Sequence, residues 1–491
     1  MPLTDVVTEV SVWQYGRVNA MMASFNDSNF IGYLEELTGV RLVFVEPSPA
    51  DAGSGFSLMV ASGDFTDIVR IYSESMYPGG GDKAVDNGDF IRLNDLVAEY
   101  MPNYQALRDN DDKIAKATIS DVGNMWALWT VSSPSEPPYQ GLAVRKDLLD
   151  SYGMSLPVTM SDWENCLVAF RDNDVPAPLL LSSTGIMIDS EFLSAWDIGK
   201  EFYQVNGVVK YGYVQNEFLE YLTLMNRWYD EGLIYNNFYT LNNPGQIGSN
   251  NEASPMVNRG EAGAFITSKG YTADARYTLK QSELENIWIE PVNAPVLNNG
   301  DKIKFRFESP VNSSANCVTS KCKDPVLVAK LADYLYGAEG SLLLNFGKEG
   351  VSYDMVNGTP TFKDFIINDP NGYVARDVAG MYAWDGGLGL YVFSRFFITD
   401  NQNTLRAYDV WEKDSNEYNM PTVSMTADEG TEYSRLIGDI TTYNEEAITS
   451  FIVGAKPLSD FNSYVQELYK MGIEDVISIQ QAALDRYNSR G

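Results

Sequence analysis

The stretch YLEELTGVRLVFVE, Tyr33–Glu46, decides the fold, because it reads as the end of a helix, a glycine and then the strand RLVFVE. A strand precedes it in TEVSVW (Thr8–Trp13), and a helix leading into a further strand follows it in SLMVASGDFTDIVRIY (Ser57–Tyr72). That order is the βαβα pattern of a mainly parallel sheet with helices on its faces. Ligands of such sheets bind beyond the carboxyl ends of the strands, which places attention on the loops beginning near Gln14 and Tyr72.

Farther along, WTVSSPSEPPY (Trp129–Tyr139) is rich in Ser and Pro and stands between two α/β patterns, as a crossing between lobes does. After it, GLAVRKDLLDSYGMSLPVTMSDWENCLVAF (Gly141–Phe170) reads as a strand, a helix stopped at Gly153, and, beyond Pro157, a second helix starting at Trp163. Ser161 and Glu164 form an S-x-x-E capping box there, and Thr426 with Glu429 forms another ahead of a long helix. Asp147, just past the strand, is expected to cap a helix. IKFRFESPVNSSANCVTS (Ile303–Ser320) is an extended return, followed by the helical DPVLVAKLADYLYGAEGSLLLNFG (Asp324–Gly347).

A chain of 491 residues exceeds the roughly 100–200 residues of one domain, so two or more lobes are expected. The 35 basic residues against 67 acidic ones give 35 − 67 = −32, which repels phosphate backbones and anionic membranes and argues against a nucleic-acid partner. The sequence contains no histidine. Ser-His-Asp and Cys-His sites, HExxH proteases and His-ligated zinc are thereby excluded. A hydrolase built on this chain would have to use carboxylates, as glycoside hydrolases do. Cys166, Cys317 and Cys322 have no CxxC spacing; Cys166 reads as a small core residue, and pairing of Cys317 with Cys322 is left open. No run of ~18 apolar residues is present. The opening MPLTDVVTEV reads as an initiator methionine set before a mature domain.

Six blocks then carry a resemblance: LEELTGVRLVFVE, LMVASGDFTDIV, DKAVDNGDFIRLNDLVAEYMPNY, LAVRKDLLDSYGMSLPVTMSDWENCLVAF, KLADYLYGAEGSLLLNFGKEGVSY and the C-terminal run from DITTYNEEAITSFIVG to AALDRY. In this order the chain resembles the family 1 extracellular solute-binding proteins of carbohydrate ABC transporters, in particular their long lipoprotein subgroup. The resemblance implies an α/β, two-lobed fold of the type II periplasmic-binding-protein kind, with a hinge between lobes and a sugar held in the cleft. The lobes are expected at 1–130 plus 312–375 and at 131–311 plus 376–491. It further implies an oligosaccharide ligand and ABC permease subunits as partners, a monomer, no catalysis, and an extracellular position tethered by a lipid anchor that this chain does not carry.

Many long members hold calcium in an Asp/Asn/Gly-rich loop after the Trp-containing helix. Here RDNDVPAPLLL (Arg171–Leu181) has Asp172 and Asp174 at the right first spacing, but Pro176 follows and the turn glycine is missing. No metal and no cofactor is expected.

Sugar rings present patches of C–H that flat aromatic side chains cover, while carboxylates, amides and Arg bind the hydroxyls. Trp196–Asp197 in SAWDIG and Trp384–Asp385 in YAWDGGLG place an aromatic ring beside an acceptor. Packing anchors with turn-capping carboxylates are the alternative for both. Trp129 and Tyr139 lie at the proposed crossing, where the family places ligand contacts, and Tyr15 and Tyr72 follow the first lobe's strands. Arg145, ending the second lobe's strand, would bind a hydroxyl or an acidic sugar, or else pair with a neighbouring carboxylate. Trp163, Trp228 and Tyr229 lie in amphipathic helices and read as packing. A carboxylate-dependent glycoside hydrolase and a binder of peptide or another solute on the same scaffold remain the competing functions.

Overall fold

Gly39 is where the helix Asn29–Thr38 becomes a strand. It adopts a left-handed φ of 76° and its N–H closes the helix on Glu35, while Ser28 caps the other end by accepting from the Phe30 N–H. A Cβ at this position would lie 2.4 Å from Thr4 Oγ1, so only glycine turns the chain here. The computed structural model describes residues 2–15, 21–48, 51–72, 76–132, 138, 140–187, 190–241, 254–268, 287–305, 309–373, 375–384, 387–392, 395, 402–411 and 417–490.

The chain divides into two units. The first comprises Met1–Glu136, Ser309–Asp400 and Tyr487–Gly491, and the second Pro137–Glu308 and Asn401–Arg486. The first boundary falls inside the Ser- and Pro-rich stretch.

The first unit is built on a six-stranded sheet of β1 (Thr8–Trp13), β2 (Val40–Val45), β3 (Ile68–Ile71), β4 (Leu128–Ser132), β11 (Val311–Val318) and β14 (Gly389–Tyr391), in the order β14-β4-β11-β3-β1-β2. β1 runs parallel to β2 and β3, β14 parallel to β4, and β11 antiparallel to both of its neighbours. Strands buried on both faces need apolar side chains on both. One face packs Val10, Val12, Ile68 and Val318 against the helices Asn29–Thr38 and Pro325–Tyr336; the other packs Trp13, Val69, Ile71 and Ala315 with Phe56 and Trp126. A hairpin of β12 (Tyr353–Val356) and β13 (Thr359–Phe362) completes this unit.

The expected lobe limits are corrected here. Residues 376–391 were placed in the second lobe, yet β14 hydrogen-bonds to β4 and 309–400 belongs to the first unit, as does the tail from Tyr487. The cause is long-range pairing by a three-residue strand, which carries no local signal of its partner.

The second unit has the sheet β10-β5-β9-β6, made of β5 (Gln140–Arg145), β6 (Ala177–Leu179), β9 (Ala262–Ser268) and β10 (Ile289–Pro291), with a hairpin of β7 (Phe202–Val205) and β8 (Val208–Tyr211). Its core gathers around the helices Met160–Asp172, Asn216–Asp230 and Ala427–Ile452. Gly141 in β5 lets the Trp411 indole lie on the strand: an added Cβ would come within 2.4 Å of the ring, whose Nε1 donates to the Leu142 and Val292 carbonyls.

A local signal is displaced in one place. The second helix of the Gly141–Phe170 stretch starts at Met160, and its capping box is Thr159 with Asp162, not Ser161 with Glu164. Glu164 instead takes the Arg227 guanidinium and the Trp228 indole N–H. The Thr426–Glu429 box forms as expected. Cys166, Cys317 and Cys322 are all free thiols. Among the described residues, no helix is long and apolar enough to cross a membrane.

Candidate functional site

In the first unit, β1 and β3 end side by side, and their chain ends bring Tyr15 and Tyr72 together. The two rings lie 4.2 Å apart between centroids at 37°, and Trp13 meets Tyr15 edge-on at 5.9 Å. Arg70 sits two residues before Tyr72, hence on the same side of the strand, and its guanidinium carbon lies 4.7 Å from the Tyr72 ring centroid. Both tyrosines are half-buried.

Trp129 lies in the same cross-strand row. Ala315 pairs with Ile71 on one side and with Trp129 on the other. Trp13 pairs with Val69, so Tyr15, two residues later, stands level with Ile71. Trp129 is half-buried and braced from two sides: its ring meets Trp126 edge-on at 5.1 Å, and its carbonyl accepts from the buried Tyr336 hydroxyl. Burial holds that hydroxyl far above its ordinary pKa, so it stays a donor at any physiological pH. Tyr15, Tyr72 and Trp129 therefore form one aromatic edge. Arg70 joins it without being singled out from the sequence, while Trp13 and Trp126, both buried, brace it from the core. The signal for Arg70 and Trp13 was present in the period of two, since each lies two residues from a candidate tyrosine.

Trp384 does not belong to this edge. It is 2% exposed and enclosed by Phe25, Phe30 and Phe44, with ring centroids at 6.3, 5.6 and 5.7 Å. The stacking role is overturned: a ring walled in by three others has no face left for a ligand. Its neighbour Asp385 lies outside the described residues, as does Tyr139.

In the second unit each candidate is engaged by its own surroundings. Arg145 is 6% exposed; its Nε and Nη2 bind Asp147 at 2.8 and 2.7 Å, and Nη1 donates to the Gly260 carbonyl at 2.9 Å. The carboxylate pairing is the one realised, and a guanidinium so occupied has no fork to offer a sugar. Asp147 does not cap its helix by a side-chain bond; it accepts from Arg145 and from the Trp288 N–H. Trp196 is half-buried and gives its Nε1–H to Glu220 at 3.0 Å. Asp197, at a left-handed φ of 58°, forms an ion pair with Lys304 at 2.7 Å, and Lys304 also lies over the Tyr418 ring. That carboxylate holds the Lys304 ammonium above its usual pKa.

Trp163 and Trp228 are fully buried on either side of Phe192, and Tyr229 is partly buried with its hydroxyl on the Asn236 carbonyl. Packing is their role. Asp172 pairs with Arg171, and among the described residues no group of three or more Cys, Asp or Glu side chains is arranged to hold a metal ion. The chemistry on offer at the first unit's edge is stacking faces with a nearby cation. That suits recognition of a ring bearing hydroxyls.

Comparisons with known proteins bear on the family and the fold. The model of the bacterial extracellular solute-binding protein family matches residues 19–341. Lipoprotein LipO of Bacillus subtilis (strain 168) is 22% identical over 342 residues, covering 67% of this chain and 64% of its own length. The fold is shared with the alginate-binding protein AlgQ2 crystallised without calcium ion (22% identity, TM-score 0.71, 99% of each chain). It is also shared with an HMO-binding, ABC-transporter-associated solute-binding protein of Bifidobacterium longum infantis ATCC 15697 (17% identity, TM-score 0.76, 98% of this chain and 99% of that one).

Proposed function

The chain belongs to the family of bacterial extracellular solute-binding proteins, and from that premise we propose that it is the substrate-binding component of an ABC importer that captures an oligosaccharide and delivers it to the permease. The observation that carries the reading is the aromatic edge of Tyr15, Tyr72 and Trp129 beside Arg70, at the place where open α/β sheets bind ligands. The glycan-binding neighbours of the same fold support it. The role needs no covalent step. A sugar that contacts both lobes only in a closed form shifts an open–closed equilibrium by its differential affinity, and the closed form is what a permease would read.

The protein acts outside the cell as a monomer, held at the membrane by a lipid anchor; the lipoprotein relative supports the last point. The test is thermal unfolding across neutral and acidic oligosaccharides, with monosaccharides and peptides as controls. A ligand that binds only the folded state raises the transition by mass action, about 2.7 kcal/mol at a hundredfold excess over Kd. A rise with one glycan series, with the glycan recovered at unchanged length, is the expected result. A rise with peptides alone, or shortened products, defeats the proposal.

A further inference from the structure

Gly387 meets a demand beyond that of its own turn. Its φ of 73° already favours glycine, and an added Cβ would also lie 2.8, 3.1 and 3.2 Å from Nε, Cζ and Nη2 of Arg70. Three guanidinium atoms at nearly one distance mean that the flat face of Arg70 rests on the Gly387 backbone. The same group lies 4.7 Å from the Tyr72 ring centroid. The Gly387 backbone is itself held at both of its polar atoms. Asn316, fully buried and directly opposite Arg70 where β11 pairs with β3, donates from Nδ2 to the Gly387 carbonyl at 2.6 Å. The buried Tyr391 hydroxyl accepts from the Gly387 N–H at 3.3 Å and donates to the Trp384 carbonyl at 3.0 Å.

A long side chain resting on a fixed backbone has less rotamer freedom left to lose when a ligand arrives, so more of each hydrogen bond it makes is expressed as affinity. Resting on the carbohydrate reading above, we propose that Gly387 is a positioning residue: backed by Asn316 and Tyr391, it sets the Arg70 guanidinium beside Tyr72 in the orientation that meets the oxygen atoms of the sugar. A side chain at 387 would undo this without undoing the fold. The three atoms nearest to a Cβ there all belong to the tip of Arg70, so the guanidinium is what moves.

The experiment is titration calorimetry of the whole chain with the oligosaccharide that raises the unfolding transition most, on a cycle of variants. Arg70→Ala is expected to weaken binding by about tenfold or more, as loss of a hydrogen bond to a charged group does. Gly387→Ala and Asn316→Leu should each weaken it about fivefold, yet less than about twofold once Arg70 is already alanine, because residues that act through one group are not additive. Gly387→Asn separates close approach from backbone strain: asparagine tolerates the left-handed conformation but brings the same Cβ, so affinity should stay low. Unfolding of each variant without sugar reports on the fold alone. Full affinity in Gly387→Asn, equal losses with Arg70 present or absent, or normal binding by Arg70→Ala overturns the positioning role while the carbohydrate reading stands. No response to any sugar overturns both.

Discussion

The two units treat their candidate side chains in opposite ways. In the first, Tyr15, Tyr72 and Trp129 come from three distant parts of the chain and are gathered along one sheet edge, each half-exposed. In the second, Arg145, Trp196 and Asp197 are each bound to a partner within the unit: Asp147 with Gly260, Glu220, and Lys304. The difference follows from where they sit. Tyr15 and Tyr72 lie just past the ends of parallel strands and face a region that no further strand fills, whereas Trp129 lies within β4. Arg145 also ends a strand, but β5 is an antiparallel partner of both β9 and β10, so Gly260 and Trp288 from the adjoining chain close over it.

The sharpest break between binding and packing is Trp384. Trp384→Ala opens a cavity among Phe25, Phe30 and Phe44 and is expected to lower stability by about 3–5 kcal/mol. Chemical denaturation measures that loss, and sugar affinity of the fraction still folded should be unchanged. A variant that kept its stability and lost its sugar would place Trp384 at the ligand instead. Next in size is Arg145→Ala, which leaves Asp147 with one donor, the Trp288 N–H, in place of the guanidinium. Breaking a buried pair costs about 3–5 kcal/mol, and partial exposure of the Asp147 side chain, at 19%, brings the expectation to about 2–3 kcal/mol. Loss of affinity without loss of stability would place Arg145 at the ligand instead.

These contrasts also mark what was legible in the sequence. The βαβα order and Gly39 specify the first sheet locally, because each element's apolar pattern fits only one face arrangement. Tyr15 and Tyr72 could be named because they follow strands whose ends were visible. That they stack on one another depends on β1 pairing with β3, which is a tertiary fact. The fate of Trp384 was illegible for the same reason: its enclosure is made by Phe25, Phe30 and Phe44, more than three hundred residues away, and by the pairing of β14 with β4. The misplaced capping box has a different origin. Thr159-x-x-Asp162 and Ser161-x-x-Glu164 are two overlapping motifs, and burial of Met160 and Trp163, with Glu164 drawn to Arg227, selects the earlier one.

Acid separates the units in a further and smaller way. In the second unit Glu164 is held below the usual range for a glutamate by Arg227, and Asp162 below that for an aspartate by the Thr159 N–H. Glu429 is lowered as well: burial opposes the shift, but the bonds from Arg486 and Thr426 outweigh it. A carboxylate lowered on folding contributes stability that is present above its unfolded value and is lost as pH falls through its folded one. In the first unit Asp333 is raised by burial, against the N–H donors of Tyr104 and Asn103. Its contribution has the opposite sign, being complete below its unfolded value and lost as pH rises. Acidification below about 4.5, the ordinary value of a glutamate, should therefore weaken the second unit before the first. Arg227 is 45% exposed, so solvent screening keeps the effect small. Hydrogen exchange followed by mass spectrometry between pH 7 and 3, corrected for intrinsic rates, reads it directly. Peptides from Met160–Asp172 and Ala427–Ile452 should lose protection at a higher pH than those from Pro102–Asn110 and Pro325–Tyr336. Simultaneous loss in both sets would mean that the two units unfold as one cooperative body and that their carboxylates cannot be titrated apart.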